Sequence, residues 1–226
     1  MARATPAIKH NKMYNNFIKP LLDWLFAFMF ILLVWPLFLL VAVLIKLESR
    51  GPVFFRQERL GKNGRVFRIY KFRTMVENAI EMGTGLRACV NDPRITKVGH
   101  ILRKTSFDEL PQLFNILRGE MSFIGPRPPV PYSPYQYEDY TETQQKRFLV
   151  KPGISGYAQI IFRNNAAWND RIEYDVKYVE DISFLGDVRI VFLTILVVIA
   201  NKNLYPNEEC IKQLDQEKIS RTQGES

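Results

Sequence analysis

The feature that most limits the fold of this chain is an unbroken apolar run near its start. Trp24 to Ile45 form 22 residues, WLFAFMFILLVWPLFLLVAVLI, without a charged or strongly polar side chain. A straight helix of this length would reach about 33 Å, which is enough to cross the hydrocarbon core of a bilayer. A secretory signal is disfavoured because no small-residue cleavage site follows, and buried core helices are usually shorter. We therefore expect residues 24–45 to contact lipid.

Basic residues flank the apolar run on both sides. Residues 1–75 hold 13 Lys and Arg against 3 Asp and Glu, a net charge of +10, whereas the whole chain carries +8. Cytoplasmic flanks of membrane segments collect Lys and Arg, so both ends of the run would prefer the same face. The excess charge also indicates an anionic lipid bilayer or a phosphorylated ligand as partner, and not nucleic acid.

Pro36 lies near the middle of the run. Proline has no N–H, so the carbonyl of Leu32 loses its helical partner and the helix bends. A bent helix that enters and leaves by the cytoplasmic face satisfies both the proline and the flanking charges. We predict such a re-entrant helix, with an ordinary Pro-kinked span as the alternative.

A basic β-hairpin is predicted directly after the apolar run. Two β-prone stretches within residues 51–75 flank Lys62-Asn63-Gly64, and Asn-Gly is a strong hairpin signal. The many Arg and Lys side chains of this hairpin indicate either a solvated strand face or a surface that holds phosphates.

The rest of the chain predicts one mixed domain, since 226 residues leave room for one full-sized domain and hardly two. Helices are expected over 76–87, 95–104, 107–117, 138–148 and 166–181, with loops over 125–134 and 151–156. Residues 188–200 are apolar but too few for a routine span, so they pack in the core or lie at the interface.

The predicted fold class is therefore α+β, mostly helical, with a re-entrant membrane helix, a basic β-hairpin and amphipathic helices lying at the membrane interface. Its parts are an N-terminal segment, 1–50, with the membrane helix at about 24–45, a cytoplasmic domain, 51–205, and a polar tail, 206–226. The chain has two cysteines far apart in sequence, which disfavours a disulfide scaffold and a Cys-rich zinc site.

Asp108 and Glu109 are the main candidates for chemistry. A structural role explains them well, because Ser106-x-x-Glu109 fits a capping box and Asp108 would favour the helix dipole. Pro111 does not fit that role, since it would fall beyond the four N–H groups that a helix leaves free. The functional alternative is that two acids beside Arg103 bind Mg²⁺ and attack phosphorus, giving an acyl phosphate.

Two further arginines are candidates for binding anions. Arg127 lies between Pro126 and Pro128, which restrict its backbone and suit its guanidinium to a planar, two-point phosphate contact. A rigid surface linker accounts for the same tripeptide. Arg163 followed by Asn164 is a weaker signal by itself. The sequence has no Walker loop, no Ser-His-Asp order and no zinc pattern.

Taken together, these stretches resemble the bacterial sugar transferases, and among them the small monotopic polyprenyl-phosphate phosphoglycosyl transferases. The matching stretches run from about residue 13 to 202. They are the apolar segment with its proline, GPVFFRQERLGKNG, YKFRTM, DPRITKVGHILRKTSFDELPQLFNILRGEMSFIGPRP, KPGISGYAQ and YVEDISFLGDVRIVFLT.

The resemblance implies transfer of a sugar 1-phosphate from a UDP-sugar to undecaprenyl phosphate, with release of UMP. It implies two steps with Mg²⁺, on the cytoplasmic face of the bacterial inner membrane, as the first membrane step of a surface glycan or glycoprotein pathway. A UDP-linked N-acetylated hexosamine derivative is the implied donor, with galactose and glucose left open. Downstream glycosyltransferases and a second copy of the chain are further partners to consider.

The resemblance also assigns roles to individual residues. Asp108 would attack the β-phosphate and hold the sugar phosphate covalently, and Glu109 would bind Mg²⁺ together with it. The other matching positions are basic residues that hold phosphates, Lys71, Arg103 and Arg127, the arginine near the nucleotide, Arg163, and the proline that turns the re-entrant helix, Pro36. This chain departs from the family pattern where Ile161-Phe162 replaces Asn-Gly before that arginine.

Two alternatives remain open at this point. One is direct transfer in a single ternary complex, with Asp108 as a base that activates the acceptor phosphate. The other is a non-catalytic membrane adaptor that uses its basic first third to bind lipid or partner enzymes.

Overall fold

The computed structural model describes residues 12–82, 92–162 and 167–200. Arg163 and the tail over 206–226 lie outside these residues. The α-helices are α1 Lys19–Glu48, α2 Lys97–Thr105, α3 Leu113–Leu117, α4 Glu142–Gln145, α5 Tyr157–Phe162, α6 Trp168–Glu180 and α7 Phe184–Ile199. The strands are β1 Phe54–Leu60, β2 Val66–Phe72, β3 Ser122–Ile124 and β4 Gly153–Ser155. The described fold is mostly helical with small sheets, as predicted.

The apolar run lies within α1, which follows a π-helical turn at Tyr14–Ile18. One side of α1 packs on the rest of the protein along a stripe spaced by three or four residues, Asp23, Ala27, Ile31, Val34, Phe38, Val41 and Ile45. The opposite side exposes large apolar side chains, including Leu33, Trp35 and Leu39. Of the helices described, only Tyr14–Glu48 is long and apolar enough to cross a membrane.

Both ends of α1 are bound to the same domain. Near its start, Lys19 Nζ lies 2.6 Å from Asp187 Oδ2 in α7, and both side chains are buried. At its end, the Glu48 carboxylate accepts hydrogen bonds from the N–H groups of Lys97 at 2.6 Å and Val98 at 2.9 Å, in the first turn of α2. The helix therefore lies along one side of the domain for its whole length.

The basic hairpin forms as predicted. β1 and β2 pair antiparallel from Phe54 opposite Phe72 to Leu60 opposite Val66. In the connecting turn Asn63 and Gly64 have left-handed φ values of 56° and 73°, the conformation for which Asn and Gly are best suited. The parallel pairing of β3 with β4 was not predicted.

Two helix predictions are wrong in the described residues. Within residues 76–82 only a 3₁₀ turn forms, at Ala79–Glu81, because Asn78 adopts a left-handed φ of 57° that an α-helix cannot include. Residues 138–148 form two 3₁₀ turns and the short α4 instead of one helix, since Tyr140 is extended. The predictions over 95–104 and 166–181 are confirmed by α2 and α6.

Candidate active site

The two acidic residues lie on a 3₁₀ turn, Phe107–Gln112, between α2 and α3. α2 ends because Ser106 adopts a left-handed φ of 59°, and the Ser106 side chain makes no capping hydrogen bond. The predicted capping box is therefore wrong, and the Glu109 side chain is free for another partner. Pro111 no longer conflicts with the local structure, because the α-helix proper begins only at Leu113.

Asn115 attaches this turn to the hairpin. Its side chain is fully buried, with 0% of its surface exposed. Its Oδ1 accepts a hydrogen bond from the Tyr70 N–H at 3.0 Å, and its Nδ2 donates to the Arg68 carbonyl at 2.8 Å. Asn115 thereby occupies the free edge of β2, and the 3₁₀ turn packs against that strand. This placement brings Glu109 opposite Lys71.

Lys71 and Arg103 supply the first two cations of the site. Lys71 Nζ lies 2.5 Å from Glu109 Oε1, and the two side chains are only 17% and 22% exposed. Arg103, in the last turn of α2, donates from Nε to Thr74 Oγ1 at 2.8 Å. Both cations attract the neighbouring Asp108 carboxylate.

Burial and charge shift the two carboxyl groups in opposite directions. Burial is the main reason that the pKa of Asp108 rises to about 6; the Glu109 charge acts in the same direction, and Lys71 opposes it. Burial also acts to raise the pKa of Glu109, but Lys71, Arg127 and Arg59 together outweigh it, so that pKa is lowered. At neutral pH both groups carry charge, and Asp108 is the more basic.

Arg127 is presented by a proline-rich loop whose backbone is fixed from outside. The carbonyls of residues 126–129 accept hydrogen bonds, in order, from Gly153 N at 3.0 Å, Arg147 Nη2 at 2.9 Å, Arg59 Nη1 at 3.0 Å and Leu60 N at 2.9 Å. A proline has no backbone N–H, so this loop cannot form regular backbone hydrogen bonds of its own. The four donors from other elements fix its backbone instead. The predicted extended loop is confirmed, and it is anchored to the domain instead of being a surface linker.

The structure thus brings five of the predicted site residues together: Asp108, Glu109, Lys71, Arg103 and Arg127. Pro36 lies on the exposed side of α1. The structure does not describe Arg163, so its predicted place near the nucleotide stays a prediction.

Three residues that help to build the site were not predicted from the sequence, namely Arg59, Asn115 and Arg147. For Arg59 the sequence held a signal, because side chains alternate between the two faces of a strand and Arg59 falls on the face opposite to Arg56 and Glu58. In the structure Arg56 and Glu58 are exposed, whereas Gln57 and Arg59 are half-buried. Asn115 and Arg147 gave no comparable signal, since their partners lie far away in the sequence.

The site offers two carboxylates that could take part in holding Mg²⁺. No group of three or more His, Cys, Asp or Glu side chains within the described residues could hold a metal by itself. Mg²⁺ is commonly bound through one or two carboxylates, with substrate phosphates and water completing its shell. Asp108 and Glu109 supply that minimal set.

Comparison with known proteins places the chain in a family. Residues 14–201 match the family described as bacterial sugar transferase. UDP-N-acetylgalactosamine-undecaprenyl-phosphate N-acetylgalactosaminephosphotransferase of Aeromonas hydrophila is 46% identical over 186 residues, which cover 81% of this chain and 44% of that protein. UDP-glucose:undecaprenyl-phosphate glucose-1-phosphate transferase of Xanthomonas campestris pv. campestris is 42% identical over 198 residues, 84% of this chain and 41% of that protein.

The chain therefore spans less than half the length of these two relatives. Exopolysaccharide production protein ExoY of Sinorhizobium fredii is more nearly matched in length, being 40% identical over 197 residues that cover 81% of this chain and 86% of that protein. Because the family match covers most of the chain, and the motifs that suggested it lie within residues 14–201, this protein belongs to the bacterial sugar transferase family.

Proposed function

We propose that this protein transfers a sugar 1-phosphate from a UDP-sugar to undecaprenyl phosphate and releases UMP. The names of two relatives describe this kind of reaction, with UDP-N-acetylgalactosamine and UDP-glucose as donors. The observation that carries the proposal is the pair Asp108 and Glu109, two carboxylates with opposite pKa shifts set among cations. We expect an N-acetylated hexosamine derivative as the sugar.

In the first step an Asp108 carboxylate oxygen attacks the β-phosphorus of the UDP-sugar. The bond between that phosphorus and the oxygen bridging to the α-phosphate breaks, and UMP leaves with the bond's electron pair. The sugar phosphate is then an acyl phosphate on Asp108. Lys71, Arg103 and Arg127 neutralise charge on the phosphates as the bond breaks.

In the second step a phosphate oxygen of undecaprenyl phosphate attacks the same phosphorus and frees the Asp108 carboxylate. The product is undecaprenyl diphosphate carrying the sugar. Mg²⁺, bound by Asp108 and Glu109, would neutralise charge on the diphosphate and on the departing UMP. A covalent carrier lets a soluble donor and a lipid acceptor use the site in turn.

The exposed side of α1 supports a site at the membrane surface. We propose that α1 enters the bacterial inner membrane as a re-entrant helix bent at Pro36, with the domain on the cytoplasmic face. Both ends of α1 are bound to one domain, which favours this arrangement over a span. α7 exposes a second apolar surface that includes Leu185, Phe192 and Ile199, and the basic first third attracts anionic lipid.

Trapping the covalent intermediate tests the proposal. Purified protein mixed with a UDP-sugar and Mg²⁺, without acceptor, should gain the mass of a sugar phosphate on rapid quench. Asp108→Asn should gain nothing, whereas Asp181→Asn, which changes an exposed carboxylate, should behave as the parent. A panel of UDP-sugars with undecaprenyl phosphate in detergent identifies the sugar through UMP release.

Two outcomes would overturn parts of the proposal. UMP release in the complete reaction without any adduct would favour one-step transfer, in which Asp108, with its raised pKa, acts as a base. No UMP release with any donor would favour a non-catalytic adaptor.

A further inference from the structure

Three arginines from separate elements lie close to the proline-rich loop. They are Arg59 near the end of β1, Arg127 in the proline-rich loop, and Arg171 in the first turn of α6. The guanidinium of Arg59 is hydrogen-bonded to the carbonyl of Pro128, directly after Arg127. Arg59 is thereby held against the backbone of the loop that presents Arg127.

A buried ion pair brings the third arginine to the same loop. Arg147 donates from Nη2 to the Arg127 carbonyl at 2.9 Å and to Asp175 Oδ2 at 2.6 Å. Asp175 lies one turn after Arg171 on α6, so this contact fixes α6 beside the loop. The side chains of Arg147 and Asp175 are 1% and 3% exposed, and the connection is therefore rigid.

The group has more positive charge than its surroundings balance. Four guanidinium groups, those of Arg59, Arg127, Arg147 and Arg171, face two carboxylates. Of these carboxylates, Glu109 is shared with Lys71, and Asp175 is paired with Arg147. Burial, and then repulsion from Arg127, lower the pKa of Arg59 to about 10 and also lower that of Arg171.

Some hydrogen-bond donors of the group have no partner. In the part of the chain that the structure describes, the Nε atoms of Arg59 and Arg171 are buried without a hydrogen-bond acceptor. A buried, unpaired donor is costly, and arginine clusters with free donors suit anions that carry several acceptor oxygens. These donors suit the oxygens of a phosphate or a diphosphate.

Arg59 also lies on the Lys71 side of the hairpin. The register pairs Arg59 with Phe67 and Lys71 with Phe55, and alternation along the two strands puts Arg59, Phe67 and Lys71 on one face. Lys71, Arg127 and Arg59 all act to lower the pKa of Glu109, so the arginine group continues the cationic surface of the site.

We propose that Arg59 and Arg171, together with Arg127, bind the diphosphate of the nucleotide-sugar donor. This inference rests on the proposed function and adds Arg59 and Arg171 to the binding residues. Arg59 already donates from Nη1 to the Pro128 carbonyl and from Nη2 to Gln57 Oε1, so its Nε is the donor that remains for a phosphate oxygen. The buried Nε of Arg171 is available in the same way.

The test measures donor and acceptor affinities separately in the full chain in detergent. Arg59→Gln and Arg171→Gln should each raise KM for the UDP-sugar by about tenfold, the loss of one charge-assisted contact, while KM for undecaprenyl phosphate stays within about twofold. The matched controls are Arg68→Gln, an exposed arginine of the same hairpin, and Lys177→Gln, an exposed cation on α6. Neither control should change either KM.

Binding of UMP alone, followed by calorimetry, gives a readout that needs no turnover. Wild type should bind UMP, and Arg59→Gln and Arg171→Gln should weaken that binding about tenfold. If the Gln variants melt early, Arg59→Lys and Arg171→Lys serve instead, because lysine keeps the charge but loses the planar fork. These variants should still raise the donor KM.

Two results would overturn the assignment while leaving the proposed function intact. One is UMP release from the parent with a donor KM that the folded arginine variants leave unchanged. The other is an acceptor KM that rises as much as the donor KM. If the parent binds UMP through these arginines yet releases none from any UDP-sugar, the proposed function fails but the anion site stands.

Discussion

Asp108 and Glu109 are neighbours in the chain, yet their carboxyl groups face different surroundings. Glu109 accepts a hydrogen bond from the Lys71 ammonium group. At Asp108, burial raises the pKa by more than the neighbouring cations lower it. Neighbouring titratable groups whose pKa values are pushed apart are a common basis for divided roles in catalysis. Here Asp108, the more basic carboxylate, is suited to attack phosphorus. Glu109, whose pKa is lowered, is suited to bind a cation.

The raised pKa of Asp108 predicts how activity depends on pH. Only the ionised carboxylate can attack, so kcat/KM for the UDP-sugar should fall below a pH of about 6. Lys71→Gln removes a positive charge that favours the ionised form, and should move this midpoint to higher pH. Initial rates of UMP release between pH 5 and 8 at constant ionic strength measure both effects.

Lys104→Gln is the matched control for that experiment, since Lys104 is an exposed cation in the last turn of α2. It should leave the midpoint where the parent has it. A midpoint that stays fixed or moves to lower pH in Lys71→Gln would contradict the electrostatic account of the site.

The same shift predicts a stability gain when the catalytic carboxyl is removed. The pKa of Asp108 is about 6 in the folded protein, whereas the unfolded value is near 3.9. Below pH 4 the Asp108 carboxyl is protonated in both the folded and the unfolded chain, so its burial costs no stability. As pH rises from 4 through 6, the unfolded chain releases this proton first and the free energy of unfolding falls. Asp108→Asn should therefore be inactive but more stable than the parent at pH 7.5, by about 1–3 kcal/mol.

Denaturant unfolding at pH 7.5 and at pH 4 measures this difference, which should nearly vanish at the lower pH. Asp181→Asn, an exposed carboxylate, should change stability at neither pH. A lower stability of Asp108→Asn than of the parent at pH 7.5 would contradict the raised pKa of this carboxyl.

At the level of elements, the position of α2 depends on one glycine. Thr96 is the N-cap of α2, and its Oγ1 accepts a hydrogen bond from the Gly99 N–H at 2.9 Å. The backbone there lies so close to Thr74 that a Cβ on Gly99 would be 2.0 Å from the Thr74 carbonyl oxygen. Since Thr74 also holds the Arg103 side chain, this contact sets where Arg103 stands relative to Asp108.

Gly99→Ala should destabilise the protein and reduce its activity, although alanine favours a helix by about 1 kcal/mol over glycine. The clash is with backbone, which cannot yield as a side chain can, so we expect a net loss of about 1–3 kcal/mol. Gly186→Ala in α7 is the control, because its added Cβ would meet only the Ser183 hydroxyl at 2.9 Å. Thermal unfolding and UMP release compare the two variants, and equal effects would contradict this explanation.

Local signals in the sequence predicted the elements whose structure is decided locally. Asn63-Gly64 predicted the hairpin turn, and the spacing over 95–104 predicted α2. The capping box failed because a left-handed Ser106 ends α2 there. The burial of Arg147 could not be predicted, since its partners Arg127 and Asp175 lie 20 and 28 residues away.

The packing side of α1 was hidden for a different reason. A run that is apolar on every side carries no periodicity to show which face meets protein and which meets lipid. Only its ends held such information, and there Lys19 and Glu48 bind the domain. The adjacent acids Asp108 and Glu109 could be identified from the sequence. The cations that give them different pKa values could not, because they come from β1, β2, α2 and the proline-rich loop.

At the level of the whole molecule, the contacts at both ends of α1 restrict how it can meet a bilayer. A spanning helix would place its two ends on opposite faces, about 30 Å apart across hydrocarbon. The Lys19–Asp187 pair and the Glu48 cap bind those ends to a single domain. Breaking the buried pair would leave an uncompensated charge, at a cost of about 3–5 kcal/mol.

We therefore expect both ends of α1 to be accessible from the cytoplasmic face only. Single cysteines replacing Lys12 and Arg50, exposed residues on either side of the apolar run, report on the two ends. They are introduced into a chain with Cys89→Ser and Cys210→Ser and tested with a membrane-impermeant maleimide. Both should react in inside-out vesicles and neither in intact spheroplasts.

Leu33→Cys is the control for depth, because Leu33 is 73% exposed on the outer face of α1. It should react in neither preparation until detergent removes the lipid. Labelling of Lys12→Cys in spheroplasts, with Arg50→Cys still protected, would show that α1 spans. The contact between Lys19 and Asp187 could then not exist in the membrane, and the acceptor phosphate would have to reach Asp108 along the side of a crossing helix.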